Sequence, residues 1–148
     1  MKAKLASCSF AVLAMVASSF AQSLGTTVTQ EMRTEANQFF QASDWTKAAV
    51  AYEKIVEIEE KNTGARYRLG VSLLGGGKNA EAQRHLETAF TASPNPVFAL
   101  ALARAYVRNG AKERAYEILE RSLTLGGISP DTMNSEPDFA GIKVEQRF

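Results

Sequence analysis

The sequence predicts an all-α fold in which three helical hairpins stack side by side as an α-solenoid. Similar segments recur along the chain, with the small residues Ala48, Ala82 and Ala115 lying 34 and 33 residues apart. Within each segment, apolar residues recur at intervals of three and four, the period of a helix with one buried side. Glycines and prolines separate the helical stretches. Because one helix pair cannot bury its apolar face alone, neighbouring hairpins must stack to be stable.

Residues 1–21 have the pattern of a secretory signal peptide. Two lysines and no acid precede an apolar run over residues 9–16, and the small residues Ser19 and Ala21 follow at the spacing that signal peptidase recognises. The run is shorter than the roughly 20 apolar residues that span a bilayer. We therefore expect cleavage near Ala21, export to the periplasm or outside the cell, and no stable membrane insertion afterwards.

The composition argues against metal, cofactor and thiol chemistry. The 148 residues include one cysteine, Cys8, within the expected signal peptide, and one histidine, His85. Zinc sites take three or four protein ligands and a disulfide takes two cysteines, so we expect no metal site and no disulfide. The net charge of +1, with acids and bases intermixed, gives no reason to expect nucleic acid as a partner. We expect no cofactor and no enzymatic activity.

The recurring segments resemble the tetratricopeptide repeat, a helix–turn–helix unit of about 34 residues. Each segment carries two small residues, each followed by a large apolar residue three or four positions later. In chain order these residues are Ala36, Phe39, Ala48 and Tyr52, then Gly70, Leu73, Ala82 and Leu86, then Ala103, Tyr106, Ala115 and Leu119. The resemblance implies a right-handed solenoid with repeats over residues 29–62, 63–95 and 96–127. Residues 22–28 are expected to form a flexible linker. Trp45 is expected to wedge between the helices of its own repeat.

Residues 128–148 are expected to form a capping segment. Their ending resembles that of many bacterial tetratricopeptide proteins, in which proline, acid and phenylalanine are followed by arginine and phenylalanine. Here those residues are Pro137, Asp138, Phe139, Arg147 and Phe148. The last repeat of a solenoid exposes an apolar flank that needs a cover. The apolar residues that could supply it are Met133, Phe139, Ile142 and Phe148.

The resemblance implies that the first helix of each repeat lines a concave groove, and this groove is the predicted partner-binding site. Residues three before, one after and four after each repeat's first small residue share one stripe, to which Arg108 is adjacent. The predicted site residues are Arg33, Asn37, Phe40, Tyr67, Val71, Leu74, Leu100, Arg104, Val107 and Arg108. This lining contains arginines and apolar groups but no acid, which favours an acidic peptide, or a C-terminal one, with a hydrophobic anchor.

The predicted function is therefore that of a non-catalytic adaptor, exported in a bacterium, that holds a segment of another envelope or secreted protein. Some relatives clamp the C-terminus of a cytosolic chaperone with five side chains. Arg33 and Asn37 match the first two, but Arg68, Val97 and Ala101 do not match the rest, so we expect no such clamp.

Two alternatives to groove binding stay open. One is a structural scaffold subunit that acts through the second helices, on the convex face, or through the C-terminal tail. The other is an enzyme built around His85 with Glu81 or an acid of the adjoining repeat. Glu59 and Glu60 are expected to be solvated near the end of a charged helix. The sequence leaves the oligomeric state undetermined.

Overall fold

The computed structural model describes residues 27–124, 126, 129, 131 and 135–139. In this part of the chain there are six α-helices and no strand. They are α1 Gln30–Gln41, α2 Trp45–Ile58, α3 Thr63–Gly75, α4 Asn79–Ala92, α5 Pro96–Arg108 and α6 Lys112–Thr124, followed by a short 3-10 helix over Pro137–Phe139. Each helix packs on the next, so α1/α2, α3/α4 and α5/α6 form three stacked hairpins. The predicted all-α solenoid is confirmed.

Several sequence expectations lie outside the described residues. These are the signal peptide over residues 1–21, most of the linker over 22–28, and the capping residues Met133, Ile142 and Phe148. Of the linker residues that are described, Val28 is half-buried and packs against the core. No helix in the described part of the chain has the length and apolar character needed to cross a membrane.

Polar side chains set the start of four helices. Asn62 Oδ1 accepts a hydrogen bond from the backbone N–H three residues later at 2.9 Å, and Asn95 Oδ1 does the same at 3.0 Å. Thr29 and Asp44 cap α1 and α2 in the same way. Each such cap is worth about 0.5–2 kcal/mol. These helix starts are therefore specified by residues next to them in the sequence.

The turn inside each hairpin uses a residue with left-handed backbone at the same place. Gly77 and Gly110, expected to end helices, both have φ +79°, whereas the first hairpin places Ser43 there with φ +56°. In all three turns the N–H of the following residue donates to a carbonyl of the preceding helix, at 2.8–3.0 Å. The turn geometry therefore repeats, although only two of the three hairpins have the glycine that favours it.

Replacing Ser43 with glycine is expected to raise the free energy of unfolding by about 0.5–1 kcal/mol. The left-handed backbone costs a residue with a Cβ about 1–2 kcal/mol, and the greater chain entropy of glycine offsets part of the gain. Urea unfolding followed by circular dichroism measures the change. Gly77→Ala and Gly110→Ala are the reverse substitutions at equivalent turns and should lower stability. A Ser43→Gly variant with an unchanged or lower urea midpoint would contradict the expectation.

The small residues predicted at helix crossings are buried. Ala36, Ala48, Ala82, Ala103 and Ala115 have no exposed surface, and the large residues four positions after Ala48, Ala82 and Ala115 are buried as well. The large residues are Tyr52, Leu86 and Leu119. Gly70 shows why the site must be small, because a Cβ added there would lie 2.5 Å from Leu86 Cγ. The repeat positions thus coincide with the contacts between helices.

Trp45 contacts the other helix of its own repeat, as expected, and also reaches the second repeat. Its ring meets Phe40 edge-on, with centroids 5.7 Å apart, inside the first hairpin. It also lies against Gly75 at the end of α3, where an added Cβ would come within 2.5 Å of the indole. Because Gly75 has no side chain, the indole reaches across to the second hairpin. Trp45 therefore joins hairpins one and two.

Candidate partner-binding groove

Two cavities lie along the first helices α1, α3 and α5. The tyrosine cavity has a volume of about 400 Å³ and is lined by Arg33, Asn37, Tyr52, Ile55, Asn62, Gly64, Ala65, Tyr67, Arg68 and Phe98. The tryptophan cavity has a volume of about 350 Å³ and is lined by Trp45, Val71, Leu74, Gly75, Ala101, Arg104 and Arg108. Together they account for seven of the ten predicted site residues.

The other three predicted residues are packing residues in this structure. Phe40 stacks edge-on against Trp45 and Tyr52. Leu100 and Val107 are partly buried against the hydrophobic core and line neither cavity. All three pack against the hydrophobic core.

A polar cluster forms one side of the tyrosine cavity. The Tyr52 hydroxyl donates to Asn37 Oδ1 at 2.6 Å, and the Arg68 guanidinium donates both to Asn37 Oδ1 and, at 3.2 Å, to the Tyr52 oxygen. These contacts join α1, α2 and α3. Within the described residues, no carboxylate lies at salt-bridge distance from Arg68. Arg68 therefore presents a cation held in place by neutral groups.

An aromatic pair also lines the tyrosine cavity. The rings of Tyr67 and Phe98 stack with centroids 4.6 Å apart and planes 12° from parallel, which connects α3 to α5. Burial raises the pKa of Tyr67, although the positive charges of Arg104 and Arg68 oppose the rise. The phenol is therefore neutral at physiological pH. The pair offers an apolar surface beside the Arg68 cation.

Arg33 already has a carboxylate partner, Glu59, although Glu59 itself lines neither cavity. Its guanidinium pairs with Glu59, and Glu59 also accepts from Asn62 Nδ2 at 2.7 Å. The hydrogen bond from Asn62 and the contacts with Arg33 hold the pKa of Glu59 below its ordinary value, against the effect of burial. Glu59 is thus partly buried in an ion pair, whereas Glu60 is exposed, as expected.

Arg104 and Arg108 are likewise held by acids of the chain itself. Arg108 Nε and Nη2 donate to the two oxygens of Asp138 at 3.1 and 2.9 Å. Arg104 Nε donates to Asp138 Oδ2 at 3.2 Å, and its Nη2 lies 3.0 Å from Glu136 Oε2. Burial alone would raise the pKa of Asp138, but the two arginines outweigh it and lower the pKa, so this contact is ionic at neutral pH.

Phe139 completes this contact. Its side chain is 3% exposed and belongs to the hydrophobic core cluster, with its short helix packed on α5. The burial of Phe139 is the part of the predicted cap that falls within the described residues. The cap as a whole stays a prediction.

His85 lies away from both cavities, on α4. Its Nδ1 is buried and has no hydrogen-bond partner among the described residues. Burial, then the positive charge of Arg66, lowers its pKa, while Glu53 and Glu81 act in the opposite direction. The imidazole is therefore neutral at pH 7. Across the described segments, no group of three or more His, Cys, Asp or Glu side chains could hold a metal ion.

Sequence reasoning missed several residues of the groove. Arg68 lies two positions before Gly70, just outside the stripe, although its neighbour Tyr67 lies inside it. Tyr52 was assigned to the core, which its ring confirms, but its hydroxyl reaches the cavity. Phe98 carried no signal in the repeat pattern. For Arg68, its position directly after Tyr67 was the available clue.

Three stacked hairpins with cavities along the first helices define an α-solenoid of the tetratricopeptide type. The tetratricopeptide repeat family model matches residues 73–124, from the end of α3 to the end of α6. The solved structure MamA MSR-1 C2 is similar, with a TM-score of 0.61 and 24% sequence identity. The match covers 64% of this chain and 55% of that chain, so it spans about half of that protein. A comparison with curated proteins gives no match.

Both similarities support a tetratricopeptide-type fold, and the family match supports, in general, a protein–protein interaction module. Tetratricopeptide solenoids are typically scaffolds without enzymatic activity. Because folds host many functions, the partner must be argued from the cavities themselves.

Proposed function

We propose that this chain is a non-catalytic adaptor that binds a peptide segment of another protein in the groove along α1, α3 and α5. The observation that carries the proposal is the tyrosine cavity, which is lined both by Arg68 and by the stacked pair of Tyr67 and Phe98. A guanidinium binds carboxylate through two parallel hydrogen bonds, and an aromatic surface beside it binds an apolar side chain. A segment with an acid next to a hydrophobic residue fits this arrangement.

Preorganisation favours binding at this cavity. Asn37 and Tyr52 hold Arg68 before any ligand arrives, and the capping residue Asn62 fixes the start of α3 beside them. Side chains that are already ordered lose less entropy when a partner binds. The volume of about 400 Å³ suits one or two side chains of a peptide rather than a folded domain.

We further propose that the mature chain acts after export, with an envelope or secreted protein as its partner. The support is the composition of residues 1–21, in which lysines, an apolar run and small residues follow one another in the order of a signal peptide. The absence of cysteine from residues 22–148 suits an oxidising compartment.

The proposal is tested by crosslinking partners in the exported compartment to the wild-type chain and to an Arg68→Glu variant. Charge reversal should lower capture of the groove partner by about tenfold, because a charge-assisted hydrogen bond is replaced by repulsion. Arg33, Arg104 and Arg108 suit this test less well, since each already pairs with a carboxylate of the chain.

The matched control is Arg84→Glu, an equal charge change at an exposed position on α4. Equal capture of the same partners by all three chains would overturn groove binding. Loss of partners with Arg84→Glu, but not with Arg68→Glu, would instead support the scaffold alternative acting through the second helices.

A further inference from the structure

The face of α5 that borders the groove is occupied by the chain's own residues 136–139, here called the tail segment. The segment presents two carboxylates, from Glu136 and Asp138, to Arg104 and Arg108, and buries the ring of Phe139 beside them. An acid held by paired guanidinium hydrogen bonds, next to a buried aromatic residue, is the way a short peptide is recognised by a protein surface. The tail segment therefore contacts α5 as a bound peptide would.

The same two arginines also line the tryptophan cavity. All three nitrogens of the Arg108 guanidinium are engaged, since Nη1 donates to the Leu74 carbonyl at 3.0 Å while Nε and Nη2 bind Asp138. A second carboxylate entering from the cavity would find the Nε and Nη2 edge, which can bind a carboxylate through two hydrogen bonds, already committed to Asp138. Occupation by the tail segment and by an acidic partner at Arg108 is therefore competitive.

We propose that the α5 face binds an acidic segment that ends in an aromatic residue. The tail segment of the same chain occupies this face, and a partner must displace it to bind. This inference rests on the proposed groove function. It adds that the tail segment regulates partner binding at the α5 end of the groove. A tethered ligand acts at an effective concentration in the millimolar range. The apparent affinity for a free ligand equals the affinity of the open face multiplied by the fraction of molecules in which that face is open.

The test uses a fluorescently labelled peptide with the sequence of residues 135–139, Ser-Glu-Pro-Asp-Phe, with both ends blocked. Its binding is measured by anisotropy to the full-length wild-type chain and to a full-length Glu136→Gln/Asp138→Asn variant, whose tail keeps its shape but loses both charges. We expect the variant to bind the peptide at least about tenfold more tightly than wild type, because its own tail competes less. A peptide with Gln and Asn in place of Glu and Asp should bind neither chain.

Circular dichroism establishes that the double variant is folded. The single Glu136→Gln variant keeps the bidentate Asp138 contact, so its gain in peptide affinity should be smaller. Equal affinity of wild type and both variants would overturn the competitor role. Lower helix content with no gain in peptide binding would mean that the segment is only a structural cap, and would also overturn it. Either failure leaves the proposed function intact, because that function is tested separately at Arg68.

Discussion

Replacing Leu86 with alanine is expected to lower the free energy of unfolding by about 2–5 kcal/mol. Leu86 has no exposed surface and packs over Gly70, so it fills the contact between α3 and α4. Truncation removes the apolar contacts and leaves a cavity that the two helices can only partly close, because capped ends hold α3 in place. The midpoint of urea unfolding measures the loss.

The facing substitution, Gly70→Ala, is expected to destabilise the same contact from the other side. The new Cβ would lie 2.5 Å from Leu86 Cγ and 2.8 Å from its Cδ2, which is closer than non-bonded carbon atoms approach in folded proteins. Overpacking of this kind costs about 1–3 kcal/mol. The better helix propensity of alanine returns up to about 1 kcal/mol. Gly64→Ala, in the same helix, is the control, because its Cβ meets only Asn62 Oδ1 at an ordinary 3.5 Å.

The double variant Gly70→Ala/Leu86→Ala separates this account from a general weakening of the core. Since the methyl group at position 70 would enter the space that Leu86 leaves, the two losses should not add. We expect a favourable coupling of about 0.5–3 kcal/mol in the cycle. Strictly additive losses, or a Gly64→Ala variant as damaged as Gly70→Ala, would contradict the packing described here.

The contact between Gly70 and Leu86 was predictable because it follows from a sequence pattern within a single hairpin. A small residue and a large one recur at fixed spacing, and the helical period puts them on facing sides of a hairpin. Capping residues such as Asn62 and Asn95 act within three residues of their own position. The fold therefore follows from short-range patterns that repeat.

The groove was less predictable because its electrostatics depend on segments far apart in the chain. Arg33 and Glu59 are separated by 26 residues, and Arg104 and Asp138 by 34. The repeat pattern of small and large apolar residues does not show which charged side chains meet, so the sequence indicated free arginines where the structure has ion pairs. The Trp45 contact with Gly75 was missed for a similar reason, since it depends on how one hairpin sits on the next.

Replacing Phe139 with alanine is expected to release the tail segment from α5. Truncation of a buried phenylalanine costs about 3–5 kcal/mol, and the cost here cannot exceed the free energy that docks the tail. The ion pairs with Arg104 and Arg108 are partly exposed and contribute only about 0–1 kcal/mol each, so they should not retain the segment alone. Hydrogen exchange read by mass spectrometry should show lost protection in residues 135–139 and weaker protection in α5.

The effect should be confined to that end of the molecule. In a solenoid each repeat contacts only its neighbours, so α1 and α2 should keep their protection while α5 and α6 lose part of theirs. Val97→Ala, also on α5 but with a side chain 58% exposed, is the control and should change stability by less than about 0.5 kcal/mol. Uniform loss of protection across all six helices, or none in the tail, would show that Phe139 is not what holds the segment on α5.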